Sequence, residues 1–353
     1  MSPSPVDASA NRYSTDALTA WAAQVLQSAG VPGGDAVATA EILLRSDMRG
    51  IGTHGMARLK SYLERLEAGD FNAKPNIAID RRGSVWMVDA DGALGQVLGR
   101  RIVDAASEAL SQEAILWVSV RETGHLGALG IFALEAAERG LICFLGQRVP
   151  PLLGLQGFHR RALGHNPFAF AAPAADGATP FVIDMACSVA ARGHILLAAR
   201  NGAPIPDGWA LDPDGEPTTD SRAAADGLLL PTGGYKGMAL AMMIECLAAA
   251  LPAHPDIKPV MEFPSAGALP RQSAFFLFLN PKLIGQGDAY AGYMSHWMDF
   301  YRESGDSARI PGERGEDGER AARTRGLSFS PTIENELRAL GDKAGIAFPG
   351  RLP

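Results

Sequence analysis

The first seventy residues of the chain repeat apolar side chains with the period of an α-helix. Leu18, Ala22 and Leu26 lie four positions apart, and residues at this spacing share one face of a helix. Ser14, just before them, is a residue type that caps helix N-termini. The pattern predicts three helices, at about residues 14–30, 35–48 and 59–69.

After about residue 75 the apolar residues occur in short runs that alternate with longer amphipathic stretches. The short runs predict strands at residues 77–80, 85–88, 114–120, 141–145, 168–172, 181–184 and 274–279. The longer stretches predict helices at residues 94–113, 129–139, 189–200, 238–251 and 331–343. Strands that alternate with helices indicate an α/β fold, in which helices cover the faces of a sheet.

The composition excludes several classes of protein. The 353 residues, 47% of them hydrophobic, are enough to bury a large core. The net charge of −7 and the lack of a Lys/Arg run predict no nucleic-acid partner. No apolar stretch reaches the ~18 residues of a membrane span, and the N-terminus is unlike a signal peptide, so no membrane partner is predicted. The widely spaced Cys143, Cys187 and Cys246 predict no disulfide framework or metal site and favour the cytoplasm.

The common glycine motifs of nucleotide-binding proteins are not found in their required setting. A Rossmann site needs GxGxxG between a strand and a helix, and no such motif occurs there. Gly124, Gly127 and Gly130, which follow a predicted strand, are spaced GxxGxxG instead. The chain also lacks the GxxxxGK[ST] phosphate loop and the GxSxG motif of α/β-hydrolases. A dinucleotide is therefore expected to bind through a different arrangement.

A Thr-His pair flanked by glycines stands between the second and third predicted helices. In this segment Thr53 can orient His54, and Arg58 opens the next helix. Histidine gives and takes a proton near neutral pH, and a guanidinium can hold a carboxylate through two hydrogen bonds. The segment fits acid–base chemistry beside a carboxylate clamp. Taken alone, it fits a turn with a surface or capping histidine better.

Two further histidines follow predicted strands. His125 comes directly after the strand at residues 114–120, and ligands of open α/β sheets bind beyond the carboxyl ends of strands. Its glycine neighbours would let a cofactor approach closely, although an ordinary turn with a capping histidine fits equally well. His165 precedes an Asn-Pro pair, for which a structural turn is the favoured interpretation.

Asp184 ends a predicted apolar strand, where a carboxylate is costly unless it is paired. It can hold His54 in the orientation that proton transfer needs, by the logic of a catalytic triad, or it can cap the next helix. Cys187 has no neighbour in sequence that would lower its thiol pKa, so a nucleophilic role is not expected.

Lys236 follows two glycines in the segment TGGYKG. Backbone amides of such a loop can face an anion, and the lysine can neutralise a phosphate. A Schiff-base lysine and a solvated turn lysine are the alternatives. A charged patch at residues 309–314 is, by composition alone, typical of a surface loop.

Together and in this order, seven segments resemble the type-2 malate/L-lactate dehydrogenase family, which also includes ureidoglycolate and sulfolactate dehydrogenases and Δ1-piperideine-2-carboxylate reductases. The segments are RGIGTHGMARL, TGHLGALG, LGHNPFAFAAP, VIDMACS, IPDGWALDPDGEPTTD, LLLPTGGYKG and IPGER. The resemblance implies a homodimer with a non-Rossmann α/β fold. A mixed sheet with helices on both faces, at residues 76–289, would bind the cofactor, and residues 1–75 and 290–353 would form a helical domain.

The resemblance also implies roles for individual residues. Thr53 and His54 would supply the acid–base group, Asp184 would complete a relay, and Arg58 would contact the substrate carboxylate. His125 would lie at the nicotinamide end, and it is the acid–base group in some members. Cofactor contacts are implied for His125, Asp184, Met185, Ala186, Lys236, Gly237, Gly312, Glu313 and Arg314. The cofactor would be NAD or NADP, and no metal is implied.

The chain departs from the family pattern at several positions. His165 stands where many members have Thr, and Cys187 stands where Thr is usual. The usual Thr-Asn-Ser segment reads Gln147-Arg148-Val149 here. Arg148 is a new cation, and we expect it to contact a second substrate carboxylate or a phosphate.

The expected activity is hydride transfer between a nicotinamide and C2 of a small 2-hydroxy or 2-oxo acid or a cyclic imino acid. The small carboxylate substrate and a second copy of the chain are the expected partners. Two alternatives follow from the same residues: a lyase that forms a Schiff base at Lys236, and a binding relative that has lost catalysis.

Overall fold

The computed structural model describes residues 11–175, 177–253, 271–285 and 289–353. Its strands are β1 Ala78–Arg82, β2 Val85–Asp89, β3 Ile115–Thr123, β4 Ile142–Arg148, β5 Pro151–Leu153, β6 Leu163–Gly164, β7 Phe168–Ala172, β8 Phe181–Met185, β9 Ala210–Leu211, β10 Pro217–Thr218, β11 Leu228–Leu229 and β12 Gln272–Leu279. Its α-helices are α1 Thr15–Ser28, α2 Gly33–Met48, α3 Leu59–Ala68, α4 Gly95–Ala109, α5 Leu129–Glu138, α6 Arg192–Arg200, α7 Ser221–Asp226, α8 Tyr235–Glu245, α9 Pro281–Ile284, α10 Ala289–Glu303, α11 Glu313–Arg325 and α12 Pro331–Ala344.

The three helices predicted near the N-terminus are confirmed. Ser14 caps α1 by accepting a hydrogen bond from the amide of Ala17. Helix α3 ends at Gly69, whose φ of 78° lies in the left-handed region that favours glycine. Two 3₁₀ turns, Gly52–His54 and Met56–Arg58, join α2 to α3. The Thr-His pair thus lies on a short irregular connection between two helices.

The larger sheet has seven strands in the order β1-β2-β3-β12-β4-β7-β8. Strands β2 and β3 are parallel and the other neighbours are antiparallel, so the predicted mixed sheet is confirmed. The smaller sheet has the order β10-β9-β11-β5-β6. This second sheet was not predicted, because strands of two or three residues are too short to show an alternating pattern.

Helices cover both faces of the larger sheet, as alternate residues of β12 show. Phe276 and Phe278 lie in the core formed with helices α4 and α5. Phe275, which precedes Phe276 in the strand, packs against Ile244 of α8 and Ala248 of the π turn Cys246–Ala250 that continues it. Burying one such phenylalanine contributes about 1.5–3 kcal/mol, so a central strand of this composition stabilises both layers.

The C-terminal segment returns to the N-terminal helices. Leu337 of α12 is buried in the same core as the apolar face of α1. The patch at residues 309–314 is not wholly a loop, as the composition suggested, because α11 begins at Glu313. This helix lacks an apolar stripe and is held by ion pairs, among them Arg49–Glu319 with 2.9 Å between Nη1 and Oε2. Within the described ranges, no helix is long and apolar enough to cross a membrane.

Candidate active site

Two histidines from distant parts of the chain face each other in a cleft. His54 lies on the 3₁₀ turn after α2, and His125 lies just beyond the end of β3. Their ring centroids are 5.5 Å apart, with 32° between the ring planes. The fold therefore unites two of the sequence-predicted residues in one site. Gly50, Gly52 and Gly55 match the letters of GxGxxG, but they lie between helices and not after a strand.

His54 is held by residues close to it in sequence. The hydroxyl Oγ1 of Thr53 lies 3.0 Å from Nδ1 of His54. Arg58 donates from Nε to the carbonyl of Thr53 at 2.7 Å, and its terminal nitrogens have no hydrogen-bond partner among the described residues. Burial, together with the smaller effects of the charges of Arg58 and His165, lowers the pKa of His54 to about 4. The ring is neutral at pH 7, and the Arg58 fork can take a carboxylate.

His125 is held by a chain of hydrogen bonds from other elements. Nδ1 of His125 lies 2.9 Å from the hydroxyl of Tyr62 on α3, and Gln96 on α4 donates from Nε2 to that hydroxyl at 3.1 Å. Among the described residues, Nδ1 of His125 is the one acceptor within hydrogen-bond distance of the Tyr62 hydroxyl, which favours the His125 tautomer that carries its proton on Nε2. Burial lowers the pKa of His125 well below its usual range, with His54 and Arg58 adding to the shift.

The loop that carries His125 is clamped by Gln147 at the end of β4. The amide Nε2 of Gln147 donates to the carbonyl of Gly124 at 3.0 Å, and Oε1 accepts from the amide of Leu126 at 3.1 Å. The Gln147 side chain is 1% exposed. Tyr62 and Gln96 were not predicted as site residues, since their only signal is spatial. Gln147 was identified only as part of a segment that departs from the family pattern, without a role of its own.

Asp184 lies at the end of β8 and faces the N-terminus of α5. Its Oδ2 accepts a hydrogen bond from the amide of Gly130 at 2.8 Å. A Cβ at Gly130 would lie 2.8 Å from the Asp184 Cβ, so this close approach requires glycine. Desolvation by the surrounding protein raises the pKa of Asp184 to about 6, and the hydrogen bond from the Gly130 amide opposes this rise. Nδ1 of His54 is beside Thr53, so the relay between Asp184 and His54 stays a prediction.

The loop before α8 lies next to the Asp184 segment. Gly233 and Gly234 have φ values of 60° and 65° and space beside them, and Lys236 is exposed in the first turn of α8. The amide of Thr232 donates to the carbonyl of Cys187 at 2.8 Å, which ties this loop to the chain that follows Asp184. A Cβ at Gly237 would lie 2.2 Å from the Thr232 carbonyl oxygen. Helix N-termini with free amides bind phosphate groups.

The segment Gly312, Glu313 and Arg314 lies along the same strand as Asp184. The amide of Val182 in β8 donates to the carbonyl of Pro311 at 2.9 Å, and Met185 at the end of this strand is 39% exposed. Glu313 accepts a hydrogen bond from Arg302 at 2.7 Å, whereas Arg314 is exposed. All of these residues, Asp184, Met185 and Ala186 as well as the segment 312–314, therefore lie in β8 or next to it. That they contact a cofactor stays a prediction.

Two of the departures from the family pattern lie behind and beside the histidine pair. Arg148 is 7% exposed, and its Nε lies 3.4 Å from Oε1 of Glu245 on α8. It thus has a partner inside the protein, and a contact between Arg148 and substrate stays a prediction. His165 has a buried Nδ1 without a hydrogen-bond partner in the described residues. Burial lowers the pKa of His165 to about 4, and Arg192 adds to this shift.

Comparisons with known proteins agree on one family. A family model described as malate/L-lactate dehydrogenase matches residues 13–338. The chain is 32% identical to the (2R)-3-sulfolactate dehydrogenase (NADP(+)) of Chromohalobacter salexigens, over 90% of this chain and 94% of that protein. It is 33% identical to the ureidoglycolate dehydrogenase (NAD(+)) of Escherichia coli O157:H7, over 77% and 78%. The solved sulfolactate dehydrogenase of Methanocaldococcus jannaschii superposes with a TM-score of 0.84 at 28% identity, over 96% and 98%. The expected non-Rossmann fold is confirmed.

Proposed function

The chain belongs to the malate/L-lactate dehydrogenase family and is an oxidoreductase that uses NAD or NADP; from this premise we propose that it oxidises a small 2-hydroxy acid at C2, or reduces the matching 2-oxo acid or a cyclic imino acid. Two neutral histidines beside a guanidinium whose terminal nitrogens have no partner among the described residues carry this proposal. Their ring centroids are 5.5 Å apart, so both imidazoles are close enough to border the same small oxygen or nitrogen group of a substrate. The Schiff-base lyase and the inactive relative have no such support.

The two histidines have complementary roles in the proposed mechanism. In the oxidative direction Arg58 binds the substrate carboxylate through its terminal nitrogens. His54 donates from Nδ1–H to Thr53 and accepts the proton of the substrate hydroxyl at Nε2. His125 donates a hydrogen bond from Nε2–H to the same oxygen, because Tyr62 fixes its tautomer. Such positioning and proton transfer lower the barrier without any change of fold. Asp184 would stabilise the charged form of His54.

The residues near α8 fit a dinucleotide cofactor. Gly233 and Gly234 leave open space beside a helix N-terminus, and Lys236 supplies a positive charge there. These groups would hold the phosphates, with Asp184, Met185, Ala186 and Gly237 beside them and Gly312, Glu313 and Arg314 beyond β8. When bound, the nicotinamide accepts or supplies the hydride. We propose that it lies between the α/β unit of residues 76–289 and the helical unit of residues 1–75 and 290–353.

We also propose that the protein works as a homodimer. Tyr293, Trp297 and Phe300 on α10 are 71%, 39% and 71% exposed, and their spacing places them on one face of the helix. Large exposed aromatic faces favour association. Light scattering after size exclusion tests this, and Phe300→Glu is expected to give a monomer. The free cysteines support a cytoplasmic location.

The test of the proposed activity is oxidation of NADH and NADPH with a panel of pyruvate, oxaloacetate, sulfopyruvate, Δ1-piperideine-2-carboxylate and Δ1-pyrroline-2-carboxylate. We expect turnover with at least one member, and a thermal shift with the preferred cofactor. Lys236→Ala should reduce that shift, whereas Lys343→Ala, at an exposed lysine on α12, should leave it unchanged. A folded protein that neither turns over the panel nor is stabilised by either cofactor would refute the proposal.

A further inference from the structure

A carboxyl group lies beneath the turn that carries Thr53 and His54. Asp47 is in the last turn of α2, and its Oδ2 accepts a hydrogen bond from the amide of Met56 at 2.7 Å. Met56 is the first residue of the second 3₁₀ turn. The far end of the segment that presents His54 is therefore fastened back to α2.

The carboxyl of Asp47 and the absent side chain of Gly55 share one space. A Cβ at Gly55 would lie 2.2 Å from both Cγ and Oδ1 of Asp47, far inside van der Waals contact. A Cβ at Gly52 would lie 3.5 Å from Oδ1. The turn folds closely over the carboxyl, and it can do so only because residue 55 is glycine.

This position is an unfavourable one for a carboxylate. It is at the C-terminal end of a helix, where the macrodipole disfavours negative charge, and burial raises the pKa of Asp47 to about 7. Arg45 and Arg49 on the same helix pair with Glu138 and Glu319, and in the described part of the chain Asp47 has no ion pair. The hydrogen bond to Met56 opposes the rise in pKa. The Asp47 carboxyl therefore interacts with the turn, through the amide of Met56, and not with a cation among the described residues.

We propose that Asp47 is a positioning residue for His54. Its carboxyl holds the turn from Gly52 to Met56 in the conformation that sets Nδ1 of His54 against Thr53 and the ring 5.5 Å from His125. The catalytic consequence rests on the proposed function, since it requires that His54 moves the proton. The positioning itself does not depend on the substrate.

A comparison of Asp47→Ala with Asp47→Asn tests the proposal. Alanine removes the oxygen that accepts from the Met56 amide and also the group that fills the space beside Gly55. Asparagine keeps both an accepting oxygen and a side chain of the same size. Misplacement of a reacting group by about 1 Å costs about 10²-fold in rate, so Asp47→Ala should lower kcat by about this factor, with KM for the cofactor unchanged. Asp47→Asn should recover most of kcat. The matched control is Asp35→Ala at the other end of α2, which removes an ion pair with Arg101 and should keep the parental kcat.

A double variant tests the packing directly. Gly55→Ala should lower kcat strongly in the parent, because the new methyl group meets the Asp47 carboxyl. In the Asp47→Ala background the same change should cost much less, because the space is then empty. Equal losses in both backgrounds would refute the geometric argument.

The NMR signals of the His54 ring give a readout without turnover. They should shift in Asp47→Ala and remain near the parental positions in Asp47→Asn and Asp35→Ala, with His54→Ala used for assignment. A parent without activity on any substrate would count against the proposed function alone, since this readout would still test Asp47. A folded Asp47→Ala protein with parental kcat and His54 signals would overturn the inference, as would an Asp47→Asn protein as impaired as Asp47→Ala.

Discussion

The two histidines of the cleft are held in opposite ways. His54 depends on Thr53, Arg58 and Asp47, all within a few residues of it on a short connection between helices. His125 depends on Tyr62, which is 63 positions away, and on a glutamine clamp from a different strand. One histidine is thus positioned by a turn and the other by the tertiary fold.

This difference fits a division of labour. A group that moves a proton must be set against the reacting atom, which the turn fastened to Asp47 does for His54. A group that must stay neutral and donate one hydrogen bond profits from a rigid network that fixes its tautomer, as the Gln96–Tyr62 pair does. The following predictions test this comparison.

The largest effect is expected for His54→Ala. Removal of a proton-transfer group typically costs 10²–10⁴-fold, so kcat should fall by about this factor. Cofactor binding, measured by nicotinamide fluorescence, should persist because His54 is not among the predicted cofactor contacts. If His125→Ala lost far more turnover than His54→Ala, the acid–base role would belong to His125 and the comparison would be reversed.

Gln147→Ala should disturb the His125 side chiefly through stability. It leaves the buried amide of Leu126 without its partner, whereas the carbonyl of Gly124 keeps the hydroxyl of Thr123 as a donor. An unsatisfied buried group costs about 1–3 kcal/mol, so we expect the free energy of unfolding to drop by about that amount in urea titrations. Gln27→Ala, at an exposed position of α1, serves as the control and should change it little. An unchanged midpoint for Gln147→Ala would show that the loop is held by other contacts.

Tyr62→Phe should affect the tautomer of His125 and little else. The variant keeps the ring but loses the hydroxyl that donates to Nδ1. A hydrogen bond contributes about 0.5–1.5 kcal/mol, so kcat should fall by up to about tenfold. Gln96→Leu should act in the same direction, because it removes the donor that orients the hydroxyl. Full activity in both variants would remove the network from the mechanism.

The smallest effect is expected for His165→Thr, which installs the residue that many relatives carry. The pKa of His165 is about 4 in the folded state and near 6.5 when unfolded. Only the unfolded chain binds the proton between these values, so this contribution to stability is present above about pH 6.5 and is lost as the pH falls toward 4. On acidification the variant should lose less free energy of unfolding than the parent does. The difference between the two should be at most about 1.4 kcal/mol per pH unit.

The same acid titration of His159→Thr, at an exposed position between β5 and β6, provides the control and should follow the parent. Identical pH dependence of His165→Thr and parent would mean that the folded protein binds the proton at His165 as readily as the unfolded chain does.

Much of the fold was predictable because its larger elements bury a periodic face. Helices α1, α2, α3 and α12 and the strands of the larger sheet were predicted to within a few residues. Helix α11 was missed because ion pairs, and not an apolar stripe, hold it to α2. Helix α10 leaves large aromatic residues exposed in one copy of the chain, so its pattern did not mark a core face.

The sequence by itself determined the main helices and strands, the family and the residue types of the cleft, because hydrophobic periodicity and short motifs are local properties of the chain. Only the tertiary structure decided that His54 meets His125, that Tyr62, Gln96 and Gln147 hold His125, and that Asp47 lies under the His54 turn. The reason is physical. A hydrogen bond between side chains that are distant in sequence requires the intervening chain to fold first, and it imposes no spacing rule that a motif can record.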